Sequence, residues 1–473
     1  MILKNIIILF FIHLSCLGFA AENDFSGTLY GDISYGENKT AETPSFFDLD
    51  LDWQHQKQDS KLYLELNLKA IAKEEGTKFE YDLKEAYWHA NINTFQYTIG
   101  KSVLRWGKSD LLSPLDVWIG KDLRYFYKDE ERSYLATPLL ITMNKNQVNT
   151  YRKCIRYKST KNKKRKYKKK KRSRKRNIKR KYRTTRKSKR KRQRKCIKYK
   201  NIEYITPHSY EFVLGVIPVT NKISDLELDQ INIIKNEIEI DVDNIEIGLK
   251  YLYNQNNWSL GVMSFYGFNR TPYLNYDSSE NEIIQVYKKF YMLGLELEKS
   301  FDYWVIRSDL ALKQTEENSD SSLNDFQSHG ELVFSIERRI GDHLRFVLYP
   351  SIKKHFNYSS TEHVESSNDY NITEKLLYTE VNSLIHESTD EVIQKIGTRL
   401  AYDNEESGLS IQLIVLKNLV KKDSVVQLDI KYSGFSDHYQ LGAGVVKYSG
   451  NSNTLLGQLV SRNAGYINGV FWF

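Results

Sequence analysis

The chain has 473 residues, 40% of them apolar, and a mean hydropathy of −0.56, which excludes a helical membrane protein and exceeds the usual size of one soluble domain. Its formal charge of +11 is a sum of two opposed objects: 31 of the 70 Lys and Arg lie in residues 151–200, which contain no Asp or Glu, and the rest of the chain, with all 59 acidic residues, is near −20. Three cysteines and ten scattered histidines offer no metal cluster, so neither a metal nor a cofactor is expected.

Residues 1–21 read as an export signal. Lys4 supplies the positive start, Ile6 to Leu14 is apolar except for His13, and Gly18-Phe19-Ala20-Ala21 supplies small residues for cleavage. The run is too short to span a bilayer as a helix. A lipid-modified Cys16 is the minor alternative, with His13-Leu14-Ser15 a poor lead-in.

From 22 to 473 the signal is alternation. In 61–72, Leu62, Leu64, Leu66 and Leu68 share one face, and Lys61, Tyr63, Glu65, Asn67 and Lys69 the other. The same split sets Ile247 and Leu249 against Glu246 and Lys250, Leu310 and Leu312 against Arg307 and Asp309, and Val426, Leu428 and Ile430 against Gln427, Asp429 and Lys431. One face wants oil and the other water. Strands are expected near 27–36, 45–55, 61–72, 79–91, 95–105, 135–145, 205–217, 243–254, 256–268, 290–299, 303–314, 329–339, 343–358, 392–403, 407–419, 424–435, 438–449 and 464–473. Aromatics at 13% fit strands and interfacial girdles.

The connection 106–134 carries the most specific pattern: Gly100-Lys101, Arg105-Trp106-Gly107-Lys108-Ser109-Asp110, then Pro114-Leu115-Asp116. Pro114 ends any continuing strand. A loop of this length can fold into a barrel and narrow it, with Arg105, Lys108, Asp110, Asp116 and Arg124 standing across the lumen as opposed charges. The other reading is an interfacial Trp106 on an ordinary outer loop. This motif, with a barrel-length chain, resembles an uncharacterised bacterial family of porin-like outer-membrane proteins, similar in style to alginate-export and phosphate-selective porins. The matching positions are Gly100, Lys101, Trp106, Gly107, Asp110, Pro114 and Asp116. The resemblance implies an outer-membrane channel of unassigned substrate; the basic block departs from it.

That block is framed by near-repeats, Arg152-Lys153-Cys154-Ile155-Arg156-Tyr157-Lys158 and Arg194-Lys195-Cys196-Ile197-Lys198-Tyr199-Lys200. In an oxidising compartment Cys154 and Cys196 are expected to pair. If they face each other across a hairpin, paired numbers sum to 350, which sets 145 against 205 and 135 against 215. Between the cysteines the composition predicts disorder. One use is to bind an anionic polymer such as lipopolysaccharide or nucleic acid, with Tyr167 and Tyr182 as thin stacking platforms. The plainer reading is a codon expansion in a tolerant loop. A nuclear-localisation reading conflicts with the export signal.

The chain closes on Phe471-Trp472-Phe473, the pattern of a membrane-insertion end read by the barrel-assembly machinery. Neither G-x-S-x-G, H-E-x-x-H nor a P-loop is present, and Asp437-His438 sits in an expected tight turn, so no catalytic residue is assigned. The expectation is an all-β protein: a single transmembrane antiparallel up-and-down barrel of about 18 strands (16–20), in the bacterial outer membrane and in contact with its lipid. It would pass small hydrophilic solutes, the acidic remainder favouring cations; the alternative is an envelope anchor whose basic hairpin binds polyanions. Oligomeric state is open. Counting back from a periplasmic Phe473 puts short turns and the basic block at the periplasmic end.

Overall fold

The computed structural model describes residues 23–36, 45–73, 76–109, 113–121, 134–144, 148–159, 194–205, 208–216, 233–234, 238, 241–277, 282–316, 328–356, 358, 382, 386–388, 390–436, 438–451, 454–458, 460 and 463–472. The expected export signal, Cys16, Asp110, Arg124, Phe473 and the run 160–193 between the cysteines fall outside these residues.

Eighteen strands form one antiparallel sheet: β1 (Asn23–Gly36), β2 (Ser45–Lys57), β3 (Ser60–Lys73), β4 (Gly76–Ile92), β5 (Phe95–Ser102), β6 (Thr137–Asn144), β7 (His208–Gly215), β8 (Glu246–Gln255), β9 (Trp258–Phe268), β10 (Lys289–Ser300), β11 (Trp304–Thr315), β12 (His329–Ile340), β13 (Leu344–His355), β14 (Val392–Asn404), β15 (Leu409–Asn418), β16 (Ser424–Ser436), β17 (Tyr439–Ser449) and β18 (Ala464–Trp472). Each pairs with the next, and β18 pairs with β1 from Thr28↔Trp472 to Gly36↔Ala464, closing the sheet. All eighteen expected strands are present. Phe471 and Trp472 lie in this closing strand.

The alternation sorts as oil and water require. Ile33, Leu293 and Ile467 are exposed by 66%, 64% and 67% on the outer surface, whereas Asp32, Glu296 and Asp309 point inward and are 0% exposed. A closed barrel with an apolar outside and a charged inside is an outer-membrane barrel, because only closure satisfies strand backbones in lipid. A bulge in β4 departs from strict alternation. At β3–β4 the register slips between Glu65 and Leu66, so Lys84 joins Glu85 on the inner face. There its ammonium lies 2.8 Å from Asp50 and 3.5 Å from Glu65.

One end of the barrel has tight turns. Asn93 and Asn256 adopt left-handed φ of 55° and 52° in the β4–β5 and β8–β9 connections, a conformation Asn tolerates better than most residues. The other end carries long connections, including that between β5 and β6.

The β6–β7 connection holds a second compact unit, Asn146–Thr206, in which the strands Val148–Ser159 and Arg194–Ile205 form a two-stranded antiparallel ribbon. The ribbon corrects the expected register. Its paired numbers sum to about 353 rather than 350, with irregularities around Cys196 to Tyr199. Cys154 stands opposite Tyr199 and Cys196 opposite Tyr157, so the two cysteines do not face each other. In the barrel, β6 and β7 pair Leu139 with Gly215 and Met143 with Glu211, again displaced from the expected 135 with 215.

The sorting of faces has a direct consequence. Leu293→Arg, at mid-strand on the outer face, is expected to destabilise the barrel by about 2–4 kcal/mol in urea titrations in lipid vesicles, whereas Gln427→Arg on the inner face is expected to cost less than 1 kcal/mol. Equal costs would mean that the faces are misassigned.

Candidate functional site

The β5–β6 connection turns into the barrel. Trp106, Leu115 and Trp118 are fully buried and pack against inward side chains of β6 to β11, among them Ile141, Val213, Phe265, Met292 and Ala311. Trp106 and Trp118 meet edge to face at 5.6 Å, and Trp118 meets Phe265 the same way at 4.9 Å. Such pairs add to the stabilisation that burial of the rings supplies. The wall makes room for them. A Cβ on Gly248 of β8 would come within 2.5 Å of both indoles, so this inward position excludes any larger residue.

Hydrogen bonds then fasten the segment at mid-barrel height. Asp309 of β11 accepts from the backbone N–H of Lys108 (3.0 Å) and Ser109 (2.9 Å) and from the Ser113 hydroxyl (2.8 Å) through one carboxylate oxygen. The Trp106 indole N–H donates to Glu211 of β7 at 2.9 Å. Lys250 of β8 donates to the Trp106 carbonyl (2.7 Å) and to Glu296 of β10 (2.9 Å). Farther along, Arg270 reaches the Val117 carbonyl (2.9 Å) while paired with Glu246 at 2.7 Å. Buried charges of this kind are tolerable only when each is paired and bonded. Here the inner wall supplies the partners.

The motif residues take these positions. Asp116 accepts from the Trp106 and Gly107 amides (3.0 and 2.9 Å), and the Arg105 guanidinium lies 3.2 Å from its other oxygen, so the two residues clamp the segment across ten residues of chain. Arg105 also lies 5.2 Å from the Tyr134 ring. Gly107 passes too close to the Ser113 side chain for a Cβ. Pro114 and Leu115 form a buried turn. Gly100 has φ of 132°, and a Cβ there would strike the Ala86 carbonyl at 2.1 Å. Lys101 pairs with Asp82 at 3.1 Å. The anchors Asp309, Glu211, Lys250, Glu296 and Arg270 were not singled out from sequence as site residues. For all but Arg270, which lies in the connection after β9, the signal was a charged residue on the water-facing side of a strand.

The rest of the lumen wall is divided. On β2 to β4, Asp48, Asp50, Asp52, Glu65 and Glu85 gather with Lys69 and Lys84; Lys69 pairs with Asp48 at 3.5 Å, Tyr63 donates to Asp52 at 2.9 Å, and the Val103 amide donates to Glu85 at 2.7 Å. On β11 to β14, Arg307 pairs with Glu298 (3.0 Å) and Glu337 (2.9 Å) and Lys395 with Glu387, while Lys353 donates to the His386 carbonyl (2.7 Å), Arg399 donates to the Gln412 side chain (2.9 Å) and Lys313 lies 5.8 Å from the Phe290 ring.

At the end with the long connections, two of these clasp each other. Asn382 accepts from the Leu274 amide (2.8 Å) and donates to its carbonyl (2.7 Å), and His386 stacks on Tyr273 at 3.8 Å and bonds the Pro272 carbonyl at 3.0 Å. Since that carbonyl only accepts, Nε2 carries the proton. Tyr273 belongs to the same apolar cluster as Trp118, so the clasp adjoins the inward segment. Burial, with the Lys353 charge adding to it and the Pro272 bond opposing, lowers the His386 pKa to about 3.

Two outcomes follow for this site. Asp309→Ala strands three donors and is expected to weaken anchorage of the segment by about 3 kcal/mol or more, opening the bonds after Arg105 and Lys108 to trypsin in detergent-solubilised protein; resistance equal to the unaltered protein would argue against the anchor. For the clasp, a lowered imidazole pKa means stability that is complete above the unfolded value of 6.5 and is lost as pH falls toward 3. Exchange protection of the amides in 272–277 and 386–388, corrected for intrinsic rates, is expected to fall by up to about tenfold per pH unit below 6.5, and His386→Phe is expected to flatten that fall.

No family model matches the chain, and no curated protein matches it. Among solved structures it is similar to Pseudomonas aeruginosa OccK11 (OpdR), with 10% identity, 95% of this chain and 96% of that one covered, and a TM-score of 0.48. It is similar to the outer membrane protein opdK from Pseudomonas aeruginosa at 8% identity, 96% and 98% coverage and a TM-score of 0.47. The outer membrane channel DcaP of Acinetobacter baumannii follows at 10% identity, 95% and 97% coverage and a TM-score of 0.40.

Proposed function

We propose that the protein is a porin-like channel of the outer membrane for small hydrophilic solutes, narrowed from one side by the segment that follows β5. The observation that carries this reading is the triple anchorage of that segment on Asp309, at mid-strand on the inner wall. A connection folded inward and fixed at mid-height reduces the passage without sealing a barrel of eighteen strands, whose interior exceeds what its own side chains fill. In this reading Arg105 and Lys108 border the passage, while Asp116 acts through Arg105 as a positioning residue.

The wall opposite supplies the selectivity. Five carboxylates, Asp48, Asp50, Asp52, Glu65 and Glu85, outnumber the two ammonium groups bonded among them, and on β11 to β14 Arg307 and Lys395 are paired with Glu298, Glu337 and Glu387. A water-filled passage past an excess of carboxylates prefers cations. The role is passage, with no chemical step assigned to any residue.

Planar-bilayer recording tests both parts. Stepwise conductance is expected, with a reversal potential in a KCl gradient on the cation side. Asp50→Asn/Asp52→Asn/Glu65→Gln is expected to shift that potential toward zero, and removal of 108–115 to raise the unit conductance. Absence of steps from folded protein would contradict the channel, and an anion-side potential would contradict the selectivity.

A further inference from the structure

We infer that the two-stranded ribbon of Val148–Ser159 and Arg194–Ile205 is a docking element for the phosphate groups of membrane lipids, and that it becomes fully ordered only on them. The observation is its pairing register. Lys195 stands opposite Lys158, Lys198 opposite Arg156, and Lys200 opposite Lys153. Like charges directly opposite each other in an antiparallel pair oppose pairing, and a lone two-stranded ribbon has little stability with which to offset that repulsion. The two strands hold eight basic residues and one acidic residue, Glu203. Within the ribbon, one carboxylate therefore faces eight basic residues, and phosphate anions from outside the ribbon can supply the neutralisation.

Three features select lipid phosphate over other anions. The basic pairs recur along the ribbon, which suits an array of phosphates and gains little from single ones. The register carries no acidic or amide code aligned to read a base sequence; Asn201 opposite Arg152 is the single amide near the basic pairs. Finally, three residues join β6 to the ribbon and two join the ribbon to β7. The wall they join lies in a bilayer, so a headgroup layer is a permanent neighbour at the high effective concentration a short tether gives. Basic residues near an anionic lipid surface act additively and are weakened by salt. The inference is independent of whether the barrel conducts.

The test uses the full chain in nanodiscs of phosphatidylcholine, mixed with sucrose-loaded vesicles. Vesicles containing phosphatidylglycerol are expected to carry the protein down, those of phosphatidylcholine alone are not, and raising salt to physiological strength is expected to weaken the capture. Lys153→Gln, Arg156→Gln, Lys158→Gln, Lys195→Gln, Lys198→Gln and Lys200→Gln together are expected to lower the partition coefficient by about tenfold or more. That variant removes the opposed charges, so its ribbon amides are expected to exchange more slowly than those of the unaltered protein before lipid is added. In the unaltered protein, slowing is expected only with phosphatidylglycerol. Vesicles carrying lipopolysaccharide form a second arm; stronger capture there supports the same chemistry in the opposite leaflet. Equal capture by phosphatidylcholine, undiminished capture of the six-fold variant, displacement by inorganic phosphate at equal phosphate concentration, or preference for a single-stranded oligonucleotide would each overturn the inference.

Discussion

The constraint on which the molecule rests is that a strand backbone in hydrocarbon has no water to bond. Any unpaired edge would cost several kcal/mol per group, so the sheet must close on itself. It does so where β18 meets β1, from Thr28↔Trp472 to Gly36↔Ala464. Closure fixes an inside and an outside, and with a period of two it decides the fate of every side chain in the wall. Leu293 goes to lipid and its neighbours along the face follow, while Glu296 and Asp309 are committed to the interior.

An interior so rich in carboxylates needs its own accounting. The segment after β5 meets it with backbone amides and the Ser113 hydroxyl for Asp309, an indole N–H for Glu211, and a carbonyl that shares Lys250 with Glu296. Wall and segment therefore satisfy each other. Removal of either partner would leave buried charge unpaired, which is more costly than the pair is worth. The apolar side of the same contact depends on absence: Gly248 has no side chain where two indoles lie. The clasp of His386 on Tyr273 extends this fixed region toward the long connections at one end.

The strands and their faces were legible in the sequence because oil and water sort residues two apart, a purely local property. Asp309, Glu246 and Lys250 could be placed on the water-facing side from that rule alone. Their partners could not. The amides that Asp309 binds lie 200 and 201 residues away, and a backbone N–H leaves no compositional trace. Within the motif, the contact between Arg105 and Asp116 was not legible, because it depends on the turn at Pro114 that folds the segment back on itself. The ribbon register differs from the expected one for a related reason. Two near-identical flanking repeats invite a symmetric register, yet the ribbon pairs three places out of it, with local irregularities. Lys84 shows the same limit on a smaller scale, since one bulge is enough to add a residue to the inner face.

The central claim is that a segment between two neighbouring strands is tied to the far inner wall at Asp309. Oxidative cross-linking tests it most directly. In a Cys154→Ser/Cys196→Ser background, Ser113→Cys/Asp309→Cys is expected to form an internal bridge under mild oxidant in the membrane, seen as a mobility shift reversed by reductant. No bridge in that pair, together with ready labelling of both thiols by a bulky membrane-impermeant maleimide, would place the segment outside the lumen and contradict the account.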